Sequence, residues 1–129
     1  MMNDLKYLVF IYGTLRKGGR AHHLMKKALF KAHGSVSGRL VHVDEYPGLI
    51  FCEDQQVHGE LYEVGDSLLR ELDRYEGCFE SPAHYVREKV VVLLENGESI
   101  NAEVYRFNLL EPHHERIIGG DWIKWKRAH

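Results

Sequence analysis

Tyr7-Leu8-Val9-Phe10-Ile11-Tyr12 is a short, unbroken apolar run that stops at Gly13. A β-favouring run without polar alternation suits a strand covered on both faces, so the fold must place layers on either side of it. The run falls far short of the roughly 18 residues that a membrane span needs. A central strand and no membrane partner are the expectation.

The rest of the chain offers the cover. Ala21, Leu24, Met25, Ala28 and Leu29 fall at i, i+3, i+4, i+7 and i+8, which predicts a helix after the first loop. Residues 33–43 are rich in Gly and β-branched side chains, and Tyr46-Pro47-Gly48 reads as a turn before Leu49-Ile50-Phe51, predicting two short strands. A further strand is expected over 57–64, where Gly59 leaves room for a bulge or a close backbone approach. Asp66 or Ser67 is placed to cap a helix carrying Leu68, Leu69, Leu72 and Tyr75 on one face, with Gly77 to end it. Residues 85–94 and 99–107 flank Glu95-Asn96-Gly97-Glu98, where Asn-Gly suits a two-residue type I′ hairpin turn. After Pro112 and Gly119-Gly120, Trp122, Ile123 and Trp125 are available to pack over an open edge or barrel end. Several strands with two helices predict an α+β fold rather than a doubly wound sheet. No repeat, linker or low-complexity tract divides the 129 residues, so one domain over 1–129 is expected.

A content of 44% hydrophobic and 28% charged residues excludes disordered, collagen-like and disulfide-dense classes. Seventeen Lys and Arg against nineteen Asp and Glu leave −2, and this balance is uneven. Between Leu5 and Val43 there are eight basic residues and no acidic one, so that stretch is +8 and the remainder −10. Such a region suits an anionic small molecule, and a solvated basic face explains the same count. With no aromatic RNA-binding signature, nucleic acid is not an expected partner. The adjacent pairs His22-His23 and His113-His114 diverge, and no HExxH or Cys/His spacing is present, so no metal site is expected. Cys52 and Cys78 lack CxxC spacing, and the ends resemble no processing or lipidation signal; a reducing cytoplasm is the expected compartment. Cys78 with His84 offers a thiol nucleophile and base as a rival chemistry.

Two segments carry the chemistry. Tyr12-Gly13-Thr14-Leu15-Arg16 follows the buried strand, where a tight turn aims consecutive backbone N–H groups at an anion or oxyanion; a plain strand-to-helix turn fits the same string. Leu72-Asp73-Arg74-Tyr75-Glu76-Gly77 places Glu76 at a helix end, where the macrodipole disfavours a negative charge by roughly 0.3–1 kcal/mol. A carboxylate so placed should have a raised pKa, useful to general acid/base chemistry; a solvent-exposed Glu is the plain alternative.

In order along the chain stand YGTLRKG, EYPGLIF, VHGELYEV, LDRYEG, YVREKV, AEVY and GGDW, spanning nearly all of it. With these motifs, the first and fourth being the specific ones, the sequence resembles the gamma-glutamyl cyclotransferase-like family, in particular its short bacterial and gamma-glutamylamine cyclotransferase-like members. The resemblance implies a small mixed β-barrel flanked by helices. It also implies that Tyr12, Gly13, Thr14 and Leu15 bind substrate, that Glu76 is the proton acceptor, and that Tyr85 and Tyr105 approach the cavity. Ala21 is a departure, standing where similar sequences often carry Asn at the start of the first helix.

The implied substrate is a small γ-glutamyl compound whose α-amine closes on its own γ-carbonyl, releasing 5-oxoproline and an amine or amino acid. That closure calls for no cofactor. It requires substrate folding, a proton shuttle and oxyanion stabilisation. The YGTL backbone is suited to either the substrate carboxylate or the oxyanion, and Arg16 with the basic first third favours the carboxylate. The alternative is a non-catalytic metabolite-binding module using the same cavity, for which a carboxylate beside an acidic substrate brings no benefit.

Overall fold

The computed structural model describes residues 6–129. Among these residues eight strands form one sheet: β1 (Tyr7–Ile11), β2 (Leu29–Ser37), β3 (Arg39–Val43), β4 (Tyr46–Ile50), β5 (Gln56–Val64), β6 (Tyr85–Leu94), β7 (Ser99–Phe107) and β8 (Arg116–Ile117). Helix α1 (Asp66–Tyr75) lies between β5 and β6, and α2 (Trp122–Ala128) closes the chain. The strand order is β1-β5-β2-β6-β7-β4-β3-β8, and an extra pairing of β1 with β7 closes the first five into a barrel. The β1–β7 and β4–β7 pairings are parallel and the others antiparallel, so the fold is a mixed α+β barrel with helices against it. None of the described helices is long and apolar enough to cross a membrane.

The first strand is covered on both faces. Phe10 and Tyr12 join Val36, Val57, Leu61, Val92, Ala102 and Val104 in one cluster. Val9 and Ile11 point the other way, into a second cluster with Tyr62, Val64 and the α1 residues Leu68, Leu69 and Leu72. This accounts for the lack of polar alternation along β1.

Strand β7 organises the site. One of its edges pairs with β6 from Tyr85↔Phe107 to Leu93↔Ser99. The other edge is shared: β1 meets it at Val9↔Glu103 and β4 at Leu49↔Arg106. The seam between them is bridged by Tyr12, whose hydroxyl donates to the Tyr105 carbonyl at 2.6 Å and accepts from the Leu49 N–H at 3.1 Å. A side chain thus serves as a rung where no strand can pair.

Several expectations are corrected. The helix expected over Ala21–Leu29 reduces to one 3₁₀ turn, His22–Met25, and Leu29 already pairs with Glu63 as the first residue of β2. Ala21 and Met25 are buried as their spacing implied, but strand pairing with β5 outweighs the short run's helical preference. Tyr46-Pro47-Gly48 lies within β4, and the turn is at Asp44-Glu45, with Asp44 at φ 51°. Gly65, rather than Asp66 or Ser67, occupies the N-cap of α1. At the β6–β7 hairpin Gly97 has φ 90° while Asn96 keeps a negative φ. The Gly97 N–H donates to the Leu94 carbonyl and the Leu94 N–H to the Glu98 carbonyl, which is a three-residue hairpin loop ending in a left-handed glycine rather than a type I′ turn. At Gly59 no bulge occurs, but the approach is close, since a Cβ there would lie 2.3 Å from the Ile11 carbonyl oxygen. The bulge is on β2, between Phe30 and Ala32.

Candidate active site

The loop after β1 is tied by Arg16 N–H to the Gly13 carbonyl, Gly19 N–H to the Arg16 carbonyl and Ala21 N–H to the Thr14 carbonyl. These bonds leave the N–H groups of Gly13, Thr14 and Leu15 without an acceptor among the described residues. All three residues line a narrow inner chamber together with Tyr12, Pro47, Glu76, Tyr85 and Tyr105. Gly13 is glycine for lack of space: a Cβ there would lie 2.7 Å from Cγ of Pro47.

Glu76 enters this chamber from the end of α1. The helix stops because Gly77 adopts φ 72°, a left-handed conformation that L side chains resist. Its N–H reaches the Arg74 carbonyl and the Cys78 N–H the Asp73 carbonyl, a pattern that closes a helix with Glu76 as its last near-helical residue. Glu76 keeps part of its surface open to the cleft, and no hydrogen bond holds its carboxyl among the described residues. Burial, with no opposing cation, pushes that carboxyl up to about 8.

Tyrosines surround the carboxyl. Tyr85 donates to the Pro47 carbonyl at 2.7 Å, and Tyr105 to Oδ1 of Asp73 at 2.8 Å. Burial first, and then neighbouring charges including Glu76, hold the hydroxyls of Tyr85 and Tyr105 well above the ordinary tyrosine range. Tyr75, beside Glu76 in sequence, meets the Thr14 hydroxyl at 2.7 Å and so links the loop to the helix. Beyond Glu76 the chamber widens into an outer cleft that shares Tyr46, Glu76 and Tyr85 with it and adds Tyr75, His84, Phe107 and Leu109.

Of the residues singled out in sequence, Tyr12, Gly13, Thr14, Leu15, Glu76, Tyr85 and Tyr105 converge on the inner chamber. Arg16 does not. It turns away to Glu60 at 3.3 Å and Asp121 at 3.0 Å, and Glu60 is only 3% exposed. Asp121 belongs to the GGDW segment and also caps α2 by accepting from the Lys124 N–H, so Arg16 fastens the loop to the C-terminal helix. Among the described residues, therefore, no Lys or Arg lines the chamber. Tyr46, Pro47 and Tyr75 were not singled out by sequence, although they lie inside the EYPGLIF and LDRYEG motifs. Apolar periodicity assigns Tyr75 to the core, and only the fold turns it toward Thr14. The Cys78 thiol is pushed up to about 11, by burial first and then by Asp73 and Glu76, which leaves little thiolate for nucleophilic attack. Among the described residues no three His, Cys, Asp and Glu side chains gather as a metal cage requires.

A sequence model of the family described as "Gamma-glutamyl cyclotransferase, AIG2-like" matches residues 9–124, and so takes in both the loop and Glu76. The chain belongs to this gamma-glutamyl cyclotransferase, AIG2-like family. Among similar proteins, the gamma-L-glutamyl-butirosin B gamma-glutamyl cyclotransferase of Niallia circulans is 44% identical over 73 residues, covering 55% of this chain and 46% of that protein. The chain thus spans under half the length of that relative. Gamma-glutamylaminecyclotransferase A of Danio rerio is 34% identical over 130 aligned positions, covering 89% of this chain and 73% of its own. The crystal structure of an AIG2-like protein from Mus musculus superposes with a TM-score of 0.72 at 32% identity, covering 82% of this chain and 80% of the other.

Proposed function

We propose that the chain is a gamma-glutamyl cyclotransferase that uses Glu76 as its proton carrier. The observation that carries this reading is the Glu76 carboxyl, unpartnered among the described residues, at the meeting of the two cleft compartments, in the chamber lined by the open N–H groups of Gly13, Thr14 and Leu15, where burial pushes it up to about 8. A peptide α-amino group titrates near 8, one beside a free carboxylate titrates higher, and an ordinary glutamate titrates near 4.3. Moving a proton from the substrate ammonium to an ordinary glutamate therefore costs at least about 5 kcal/mol, and raising the carboxyl removes much of that cost.

In the proposed reaction the glutamyl moiety occupies the inner chamber and the leaving group extends into the outer cleft. Glu76 takes a proton from the α-ammonium, and the freed amine attacks the γ-carbonyl carbon of the same molecule. A C–N bond forms, closing a five-membered ring, and the carbonyl oxygen becomes an oxyanion. When the tetrahedral intermediate collapses, the original amide C–N bond breaks as Glu76 returns the proton to the departing nitrogen, and the ring nitrogen, which still carries two hydrogens, gives one up through the freed Glu76 carboxylate to the released amine. The products are 5-oxoproline and the amine as its ammonium ion. With no Lys or Arg among the described residues of the chamber wall, the N–H groups of Gly13, Thr14 and Leu15, open among those residues, receive the substrate's negative charge. The reacting groups belong to one molecule, so holding it folded supplies much of the acceleration.

The test is incubation with a panel of γ-glutamyl amines and γ-glutamyl amino acids, followed by mass spectrometry for 5-oxoproline. Release of 5-oxoproline with stoichiometric amine is expected for at least one member. Saturable binding across the panel without product would instead identify a metabolite-binding module.

A further inference from the structure

Asp73 is an expensive residue in its position. It lies in the last turn of α1, where the helix dipole disfavours a carboxylate, and is only 9% exposed. Three bonds from neighbouring strands hold it: Tyr105 Oη at 2.8 Å and Arg87 Nε at 2.8 Å to Oδ1, and Arg87 Nη2 at 3.3 Å to Oδ2. The same guanidinium reaches Glu103 at 2.7 Å, and Glu103 also meets Lys89. Arg87 and Tyr105 face each other across the β6–β7 ladder, so the end of α1 is fastened to one cross-strand pair.

Such a buried ionic cluster contributes little stability over an apolar replacement. What it adds is direction. Leu68, Leu69 and Leu72 hold α1 against the barrel through contacts that tolerate sliding and rotation, whereas forked bonds to fixed strands do not. The carbonyl of Asp73 also accepts the Cys78 N–H that closes the turn bearing Glu76. Tyr105 extends the connection, since its carbonyl accepts the Tyr12 hydroxyl at the start of the substrate loop.

We propose that Asp73 is a positioning residue: held by Arg87 and Tyr105, it fixes the end of α1 so that the Glu76 carboxyl stands in register with the Tyr12–Leu15 loop. The inference rests on Glu76 being the proton carrier. Asp73 itself has no part in the proton transfers.

The experiment measures kcat, KM and thermal unfolding for Asp73→Asn, Tyr105→Phe, their double variant and each single change combined with Glu76→Gln. A displacement of about 1 Å costs on the order of 10²-fold in rate. Asp73→Asn should therefore lower kcat by roughly 10- to 100-fold while KM stays within about 3-fold. Tyr105→Phe should act in the same direction, and the double variant should be no slower than the slower single, because both break one linkage. Added to Glu76→Gln, neither change should slow the residual rate further. A folded Asp73→Asn protein at the wild-type rate, or one whose loss appears in KM or multiplies that of Glu76→Gln, would overturn the proposal. Should Asp73→Asn not fold, Tyr105→Phe, which removes one hydroxyl, decides by the same criteria. A wild-type rate in Glu76→Gln overturns the proton-carrier reading and this inference with it, whereas a wild-type rate in Asp73→Asn alone overturns only the positioning role.

Discussion

Two titratable residues beside glycine-marked turns, Arg16 three positions after Gly13 and Glu76 directly before Gly77, have opposite fates in this protein, and surroundings decide which. Arg16, the expected carboxylate ligand, is spent on Glu60 and Asp121. Arg16→Ala should lower stability by about 3 kcal/mol, since it leaves the buried Glu60 carboxylate without its cation and held by the Lys17 N–H and the Tyr62 hydroxyl, and should leave KM of the folded enzyme unchanged. Urea unfolding alongside steady-state kinetics checks this; a raised KM at unaltered stability would return Arg16 to the substrate. Glu76 is the reverse case, a carboxyl without a partner. Its folded pKa of about 8 exceeds the unfolded value of 4.5, so between those limits the folded state binds more protons. The contribution of Glu76 to stability must therefore fall as pH rises through that window, by at most about 1.4 kcal/mol per pH unit, and level off above 8. Glu76→Gln removes the titration. The gap in melting temperature between variant and wild type should widen from pH 5 to pH 8 in favour of Gln, and parallel pH profiles would show that the carboxyl is not buried as described.

At the scale of elements, legibility depended on whether local preference and tertiary pairing agreed. The β6–β7 hairpin was legible to within its boundaries because Asn-Gly and two β-rich runs point the same way, even though the turn is of another type. Helix α1 was legible from its leucine face and Gly77. The stretch from Ala21 to Leu29 was not, because β2 begins at Leu29 by pairing with β5 and leaves room before it for only the 3₁₀ turn His22–Met25, and that pairing edge is invisible to a local reading. Within the site, the motif residues Tyr12–Leu15 and Glu76 were legible, whereas Tyr75 and Asp73 were not, since their partners lie on distant elements. Tyr12 shows what such pairing is worth. Tyr12→Phe strands the Tyr105 carbonyl and the Leu49 N–H, each at about 1–3 kcal/mol, so a loss of about 2–6 kcal/mol is expected. The midpoint of urea unfolding should drop with an unchanged m-value. A loss below 0.5 kcal/mol would mean that β1 and β4 are joined to β7 without this bridge.

The whole molecule brings a loop and a helix end together across a barrel seam. Strand β7 turns one edge to both β1 and β4, Tyr12 bridges the gap, and the chamber opens beside it. The fold thereby provides both unpaired N–H groups and an unpaired carboxyl, which an intramolecular acyl transfer needs and a simple binding pocket does not. The most direct measurement of this account is 5-oxoproline release by wild type and Glu76→Gln under the same conditions, with a γ-glutamyl substrate that the wild type turns over and with folding verified on the same preparations. Gln keeps the size of Glu and cannot carry the proton, so kcat should fall by about 10²- to 10⁴-fold while the substrate still binds. A folded Glu76→Gln protein that releases 5-oxoproline at near the wild-type rate would contradict it.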